Sequence, residues 1–432
     1  MGRELKNILL LSSGDTYGAY ELLYRMAKAL KKDGHNVVLL VTDQKKNDDF
    51  IQKIVIHTKP KSYIKRFINL IKRKLGKKAK ELLTDPKYVF LDGENESHSL
   101  VNAEKILEKT PFVPNIVISG MTNNFLGTNT LAEIQHKTSA KIHQVMVDMH
   151  TITGGCHVVW DCDGFVNKCE KCPALLGKNF DYFAKNNLDI KSRNINNHNF
   201  SLLVSQGWTL FQANRSFLFK EREKTIIGSC IDVEVFNNRN RDVAKKILNL
   251  PLNTKLIFAG SNNVNDPRKG KKYLVDALNE LWLHLKENER EDVCVLLAGN
   301  HNSEDNLTSA IKFKKQFIDF VSDYRLLSIV YQASDIYVCP SLEDGGPMMV
   351  SESLACGTPV VGFEVGLLFD DSIIKNGYNG YRVKLKDVEG LAFGIAEILK
   401  LQNSEFLKIS NNAREVAVNF LSESYFVKSI IK

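Results

Sequence analysis

Short apolar runs alternate along the chain with longer segments whose apolar residues recur at helical spacing. The first run, Asn7–Ser12, has the length and continuity of a strand buried in a parallel sheet. Residues 19–32 then place apolar side chains on one face of a predicted helix, and Asn36–Thr42 is a second apolar run. This order predicts a βαβ opening, in which a helix connects two parallel strands.

The alternation continues to the end of the sequence in two series, separated by a polar stretch at 237–242. In the first series, further strands are predicted at 116–119, 142–147, 201–205 and 225–228, with helices at 128–136 and 208–214. In the second series, strands are predicted at 256–259, 293–298, 336–339 and 359–361, with helices at 271–285, 323–332, 347–356, 388–400 and 422–431. The pattern predicts an α/β protein with domains 1–235 and 236–418, followed by a last helical segment, 419–432.

Length and composition agree with two globular domains. The 432 residues suffice for two hydrophobic cores, and 44% hydrophobic with 25% charged residues is typical of soluble proteins. No apolar run approaches the roughly 18 residues of a membrane span, and Ile8–Leu11 is too short for the core of a signal peptide. We therefore expect a cytoplasmic protein. The net charge of +8 favours an anionic partner, such as a nucleotide, a nucleic acid or a lipid headgroup.

Much of the positive charge lies in one segment, 59–80, which interleaves lysines and arginines with apolar residues at helical spacing. This pattern predicts a basic amphipathic helix, which suits an anionic membrane surface. A solvated helix packed on its own domain is the simpler alternative. Nucleic acid would also attract the charge, but no basic sheet with interleaved aromatic residues accompanies it, so we expect no nucleic acid partner.

The chemistry is concentrated in Val338–Gly362, which reads VCPSLEDGGPMMVSESLACGTPVVG. A strand is followed by an acidic, glycine-rich loop, and a helix is predicted to begin near Pro347 and to end before Gly357. Asp344 in the loop and Glu352 on the helix are separated by seven residues. A loop that joins a parallel strand to a helix N-terminus is where α/β proteins bind phosphorylated ligands.

This stretch resembles the signature of retaining GT-B glycosyltransferases of family 4, an acid followed by seven residues and a Glu. The resemblance implies that Glu352 holds the ribose hydroxyls of a sugar nucleotide. It also implies that Asp344, together with Gly345, Gly346 and Pro347, faces the donor sugar. Most members have Glu where Asp344 stands, so the acid is one methylene shorter here.

The resemblance extends over nearly the whole chain and implies the GT-B architecture, two Rossmann-like domains facing across an interdomain cleft. Residues 1–235 would form the acceptor-side domain and 236–418 the domain that binds the nucleotide sugar. The last segment, 419–432, would cross back to the first domain.

Two further loops are candidates for contact with the donor. Arg268 and Lys269 stand directly before a predicted helix, a position suited to a diphosphate, although two solvated cations are the simpler interpretation. Their DPRKG sequence resembles a polysaccharide-assembly branch of family 4 that includes colanic acid glycosyltransferases. The resemblance implies that these cations stabilise the leaving diphosphate without a catalytic cofactor. Gly18, followed by Ala19, is similar to the family's first glycine-rich loop, or is a plain tight turn.

The sequence Asp148–His157 (DMHTITGGCH) resembles the HDMWPFTGGCH stretch of the same branch. The family's His, which often contacts the donor sugar, corresponds to Val147 here, and its Trp corresponds to His150. His150 is therefore a candidate replacement for that contact.

Four of the eight cysteines, Cys156, Cys162, Cys169 and Cys172, fall in or beside one loop, 154–173. In a reducing compartment such a density favours a metal before a disulfide, and four thiolates could close a tetrahedral structural Zn²⁺ site. His157 could replace one thiolate. Reduced, unliganded thiols are the alternative.

The function that these motifs imply is the retaining transfer of a hexosyl group from a UDP- or GDP-linked sugar to a hydroxyl. The acceptor expected from the basic segment is a lipid-linked glycan for cell-surface polysaccharide, with the enzyme peripheral at the inner face of the cell membrane. A sugar-nucleotide epimerase on the same fold is one alternative. A non-catalytic partner subunit is another, because Val147 and Asp344 depart from the family pattern.

Overall fold

The computed structural model describes residues 4–16, 18–56, 84–90, 96–176, 182–261, 263, 266–299 and 306–431. They form two compact units. We call residues 1–204 and 212–225 the N-terminal unit, and residues 205–211 and 226–432 the C-terminal unit. The basic segment 59–80 lies outside the described residues. Within them, no helix combines the length and apolar character needed to cross a membrane.

The N-terminal unit contains a seven-stranded sheet in the order β3-β2-β1-β4-β5-β6-β7, in which the pairs from β3 to β6 are parallel. The strands are β1 (Asn7–Gly14), β2 (Asn36–Asp43), β3 (Ile51–Lys53), β4 (Ile116–Ser119), β5 (Lys141–Val145), β6 (Phe200–Val204) and β7 (Lys224–Ile226). The helices are α1 (Gly18–Lys32), α2 (Ala103–Glu108), α3 (Thr128–Thr138), α4 (Phe183–Asn197) and α5 (Trp208–Arg215), whose first turn groups with the C-terminal unit.

The C-terminal unit contains a six-stranded parallel sheet in the order β10-β9-β8-β11-β12-β13. The strands are β8 (Lys255–Gly260), β9 (Val293–Ala298), β10 (Lys314–Ile318), β11 (Ile336–Cys339), β12 (Val360–Phe363) and β13 (Gly380–Val383). The helices are α6 (Arg241–Ile247), α7 (Lys271–His284), α8 (Glu287–Glu291), α9 (Asn306–Ser309), α10 (Tyr324–Ala333), α11 (Met348–Ala355), α12 (Val388–Leu399), α13 (Asn403–Val416) and α14 (Glu423–Ile430), with a π-helical turn at Ala417–Leu421 before α14.

Strand β8 explains why these strands appear in the sequence as unbroken apolar runs. Leu256 and Phe258 belong to one hydrophobic cluster, whereas Ile257 and Ala259 belong to a second cluster. Because successive side chains point to opposite faces of a sheet, the strand is buried on both faces. The sheet therefore lies between two layers of helices, as in a Rossmann-like domain.

The division between the units differs from the predicted boundary after residue 235. It falls between residues 225 and 226, and 419–432 is grouped with the C-terminal unit, while a crossing of this segment to the first domain stays a prediction. The reason is backbone pairing between segments that are distant in the sequence. The amide of Ile231 donates to the Leu421 carbonyl at 2.9 Å, and the carbonyl of Ile231 accepts from the amide of Glu423 at 3.0 Å. The connecting segment is thus part of the same core as the last helix.

Candidate functional site

The candidate donor site lies at the point of the six-stranded sheet where the strand order reverses, between β8 and β11. Strands β8 and β11 are neighbours, but the chain continues from β8 toward β9 and from β11 toward β12, on opposite sides. The loops that follow these two strands therefore leave the same edge of the sheet side by side. This is the topological switch point, at which open α/β sheets bind ligands.

Backbone contacts join these two loops. The amide of Leu342 donates to the carbonyl of Arg268 at 2.6 Å. Gly270 has a left-handed φ of +64°, and a Cβ at this position would overlap the carbonyl oxygen of Pro340. Glycine is therefore required at position 270 both by its backbone conformation and by the close approach of the second loop.

The two candidate phosphate ligands have different partners. Arg268 turns back onto Asp266, with Nη2 2.5 Å from Oδ2, whereas Lys269 Nζ lies 2.6 Å from Asp344 Oδ2. Burial opposes the charge of each cation, yet the neighbouring carboxylates raise the pKa of both Arg268 and Lys269. Both cations are thus held charged at the edge of the sheet.

Hydrogen bonds and close packing fix the glycine-rich loop, Glu343–Gly346. The amide of Gly346 donates to Asp344 Oδ1 at 3.2 Å, and the hydroxyl of Ser205 donates to the Gly345 carbonyl at 3.3 Å. Gly366, at a φ of +61°, packs so closely that a Cβ would lie 2.7 Å from Cδ of Pro347. The loop therefore presents a fixed backbone at the start of α11.

Glu352 lies on α11, only 3% exposed. The hydroxyl of Tyr331, on α10, donates to its Oε2 at 3.1 Å. Both Asp344 and Glu352 thus have defined partners, and both belong to the segment between β11 and β12. The structure brings together Arg268, Lys269, Asp344, the glycine-rich loop and the start of the helix that carries Glu352.

The N-terminal unit has its own polar cluster at the carboxyl ends of β1, β4 and β5. His157 Nδ1 lies 2.7 Å from Asp148 Oδ2, and the His157 ring stacks on that of His150 with centroids 4.7 Å apart. Asn123 Nδ2 is 3.5 Å from His157 Nε2, and Ser13 donates from Oγ to the Asn123 carbonyl at 2.7 Å. Although burial acts in the opposite direction, the charge and hydrogen bond of His157 lower the pKa of Asp148.

Two other predicted residues of this unit occupy loop positions. Gly18 begins α1 with a left-handed φ of +51°, and a Cβ there would meet no described atom within 4 Å. Its conformation, rather than close packing, therefore favours glycine. The carbonyl of His150 accepts from Lys191 Nζ at 2.6 Å, which holds the turn that carries this histidine.

The cysteine loop contains free thiols that accept backbone hydrogen bonds. Gly154 donates its amide to Cys169 Sγ at 3.3 Å, and Gly164 donates to Cys162 Sγ at 3.4 Å. Burial raises the pKa of Cys169 to about 12. Among the described residues, no three His, Cys, Asp or Glu side chains are arranged to hold a metal ion. His157 contacts Asp148, as described above, and zinc stays a prediction.

Comparison with known proteins finds a family match in the C-terminal half of the chain. Residues 240–416 match the sequence model of the glycosyl transferases group 1. An uncharacterized glycosyltransferase of Methanocaldococcus jannaschii is 30% identical over 137 residues, which cover 31% of this chain and 33% of the relative. The region that is similar to these glycosyltransferases contains every predicted donor-site residue of the C-terminal unit.

Two further relatives have named activities. The D-inositol 3-phosphate glycosyltransferase of Mycolicibacterium smegmatis is 28% identical over 206 residues, covering 45% of this chain and 43% of the relative. The UDP-Gal:alpha-D-GlcNAc-diphosphoundecaprenol alpha-1,3-galactosyltransferase of Escherichia coli is 24% identical over 206 residues, covering 45% of this chain and 49% of the relative. The chain spans less than half the length of these relatives.

Solved structures match over nearly the whole chain. The sucrose-phosphate synthase of Thermosynechococcus elongatus superposes with a TM-score of 0.63 at 15% identity, covering 98% of this chain and 97% of the other. Anabaena HepE, solved in complex with UDP-glucose, superposes with a TM-score of 0.60 at 14% identity, covering 98% of each chain. At these identities the likeness concerns the fold, and it confirms the predicted two-domain, Rossmann-like GT-B fold.

Sequence reasoning missed several partners of the predicted residues. Tyr331 and Ser205 are far from their partners in the sequence, so no local motif indicated them. The Asp148–His157 pair was also missed, although both residues stand in the quoted motif. The turn after β5 and the glycine pair of that motif were the signals that could have indicated it.

Proposed function

We propose that the protein is a retaining family 4 glycosyltransferase that transfers a sugar from a nucleoside diphosphate sugar to an acceptor hydroxyl. The observation that carries the proposal is the arrangement of Lys269, Asp344 and Glu352 on the two switch-point elements of a glycosyl transferases group 1 domain. A cation, an acid and a buried carboxylate match the three parts of such a donor, namely diphosphate, sugar and ribose.

In the proposed reaction the bond between the anomeric carbon and the β-phosphate oxygen breaks, and its electron pair goes to the leaving diphosphate. The acceptor oxygen bonds to the anomeric carbon on the same face, and its proton passes to the departing phosphate. Lys269 and Arg268 stabilise the charge that grows on the diphosphate, which is the main electrostatic task of the site. No step of this scheme requires a metal ion.

The proposed donor is a UDP- or GDP-linked hexose. The complex of Anabaena HepE with UDP-glucose supports a uridine nucleotide on this fold. In the proposal, the carboxylate of Glu352 accepts hydrogen bonds from the ribose hydroxyls, and the loop around Gly345 contacts the sugar. Ionised carboxylates bind paired hydroxyls well because both oxygens accept.

The proposed acceptor is a lipid-linked glycan in cell-surface polysaccharide synthesis, extended at the inner face of the membrane. The diphosphoundecaprenol acceptor in the name of the Escherichia coli relative supports this class. The basic pattern of 59–80 supports attachment to anionic lipid. The inositol phosphate acceptor of another relative is the competing class, and it needs no membrane contact.

The test begins with thermal unfolding of the purified protein against a panel of nucleotides and nucleotide sugars. We expect stabilisation by one nucleoside diphosphate and its sugar, but not by the nucleoside alone. Proton NMR of the transfer product with a lipid-linked acceptor should then show the anomeric configuration of the donor.

Each alternative has a distinct outcome in this test. An inverted product would contradict the retaining assignment. Conversion of the nucleotide sugar to its epimer without an acceptor would indicate an epimerase, and no stabilisation by any nucleotide would favour a non-catalytic subunit.

A further inference from the structure

We propose that Tyr331 is a positioning residue for the donor ribose, acting through the carboxylate of Glu352. This inference rests on the proposed function and adds a specificity-determining group to it. Tyr331 would not touch the substrate. Its hydroxyl would fix the orientation in which the carboxylate meets the ribose hydroxyls.

The position of the Tyr331 ring is tightly restricted. Tyr331 is fully buried on α10. Its ring packs edge-on against Phe258 at 5.3 Å and against Tyr337 at 5.9 Å between centroids. A ring enclosed on both sides cannot change rotamer without moving the core, so its hydroxyl remains directed at Glu352.

The backbone on both sides of this contact is also fixed. The carbonyl of Tyr331 accepts a 2.6 Å hydrogen bond from Thr358 Oγ1, which ties α10 to the segment before β12. On α11, the hydroxyls of Ser351 and Ser229 lie 2.6 Å apart. The distance between the tyrosine oxygen and the carboxylate is therefore set by the core and not by a mobile loop.

The chemistry of the pair fits a positioning role. A buried carboxylate is costly unless hydrogen bonds compensate the lost water, and a bond to an ionised acceptor is among the stronger ones. Burial and the nearby charge of Glu352 raise the pKa of Tyr331 well above its ordinary value. The hydroxyl thus stays a donor at every physiological pH, and an ionised carboxylate still has capacity to accept from a ribose.

The test compares nucleotides with and without the 2′-hydroxyl. Binding of UDP, dUDP, GDP and dGDP is measured by calorimetry on the full chain, and the pair that contains the tighter ribonucleotide is used. Tyr331→Phe should weaken binding of the ribonucleotide about tenfold and change the affinity for its 2′-deoxy form by less than about twofold. The reason is that only the contribution of the ribose 2′-hydroxyl to binding is lost.

Tyr337→Phe is the matched control, since it removes a hydroxyl from the neighbouring buried ring while Tyr331 keeps its bond to Glu352. It should leave the ratio of ribonucleotide to deoxynucleotide affinity unchanged. In a Glu352→Gln background, Tyr331→Phe should add little further loss, because the two residues act as one unit.

Equal weakening of both nucleotides in Tyr331→Phe would reduce the role of Tyr331 to core stability and overturn the inference. So would an unchanged preference for ribose. The wild type separates this failure from that of the donor site itself, because a wild type that ignores the 2′-hydroxyl, or binds no nucleotide, contradicts the proposed function as well. Should Tyr331→Phe fold poorly, its ratio of ribonucleotide to 2′-deoxynucleotide affinity, measured at low temperature beside wild type, decides the question, because an unfolded fraction lowers the apparent binding of both nucleotides alike.

Discussion

The ammonium of Lys269 lies 2.6 Å from Oδ2 of Asp344, so the proposed diphosphate ligand and the proposed sugar-facing acid form one ion pair. The two residues come from the loops after β8 and β11. A diphosphate that binds Lys269 must therefore compete with Asp344 for it. The acid holds the lysine in place and also limits how strongly it attracts an anion.

Removing the cation should weaken binding of the diphosphate. We expect Lys269→Ala to reduce affinity for the nucleoside diphosphate about tenfold or more, because a charge-assisted contact is lost, while nucleoside binding changes little. Calorimetry with both ligands measures the difference. Lys272→Ala is the matched control, since Lys272 pairs with Asp276 on the exposed side of α7. Equal affinities in wild type and Lys269→Ala would exclude the assignment.

Neutralising the acid should separate binding from chemistry. Asp344→Asn keeps the size of the side chain but removes the anion that competes for Lys269, so diphosphate affinity should stay equal or rise a few-fold. The rate of sugar transfer should fall about tenfold or more if the acid contacts the donor sugar. Asp344→Glu, which restores the acid common in the family, should keep most of the activity. Full transfer by Asp344→Asn would refute the role.

Gly270 should tolerate no side chain. Gly270→Ala would place a methyl group against the Pro340 carbonyl and separate the two loops, so we expect a loss of several kcal/mol in stability together with loss of nucleotide binding. Gly377→Ala is the control, because Gly377 also has a left-handed φ of +72° but its nearest contact would be 3.8 Å away. It should cost only the conformational strain of about 1–2 kcal/mol. Similar unfolding midpoints for the two variants would contradict the close approach.

The zinc prediction is decided by metal analysis. We expect the loop around Cys169 in the purified protein to bind about one equivalent of Zn²⁺. Cys172→Ser should release this metal and lower the unfolding temperature of the N-terminal unit. Cys294→Ser, in buried strand β9, should not change metal content. Protein purified without chelators that contains neither zinc nor iron would leave the reduced-thiol alternative.

Membrane attachment is predicted from the sequence of 59–80. The full chain should co-sediment with vesicles that contain anionic lipid, and the bound fraction should fall at high salt because the charges are screened. Changing Phe67 and Ile71 to Ser should lower it further if these side chains enter the interface. Full transfer to a water-soluble glycan, combined with no binding to any vesicle, would point to a soluble acceptor instead.

The sequence predicted the buried strands better than the polar helices. Strands Val293–Ala298 and Ile336–Cys339 have the predicted limits because both faces are buried and the apolar run ends where the strand ends. Helix α4 was missed because its inner face is only partly apolar: Asn187, Lys191 and Asn194 are among its buried residues. Asn187 donates to the Gly154 carbonyl and Lys191 to the Thr153 carbonyl, so hydrogen bonds as well as apolar contacts hold this face.

Strand β10 was not predicted from the sequence because it lies at the edge of its sheet. Strand β10 begins with two lysines and lies at the end of its sheet, where, among the residues that the structure describes, it has a neighbour only on the β9 side. Charged residues are common on such strands because they discourage pairing with other chains, but they also remove the apolar run.

The candidate site could be predicted in its residues but not in its pairings. The spacing of Asp344 and Glu352 and the position of Lys269 before a helix were local patterns. Their partners were not local, since Tyr331 and Glu352 come from different helices and Lys269 and Asp344 from different loops. Only the order of the strands brings these segments together.

The C-terminal unit is discontinuous along the chain, and the hydrogen bond from Ser205 to the Gly345 carbonyl lies within it. Residues 205–211 precede the rest of this unit by 14 residues that belong to the other unit. The same segment places the centroid of the Phe211 ring 5.0 Å from the centroid of the Phe369 ring. A fragment expressed from residue 226, or cut at the borders of the family match, would therefore lose a support of its glycine-rich loop and uncover an aromatic ring. Dissecting this protein into halves requires carrying a short piece from the middle of the gene.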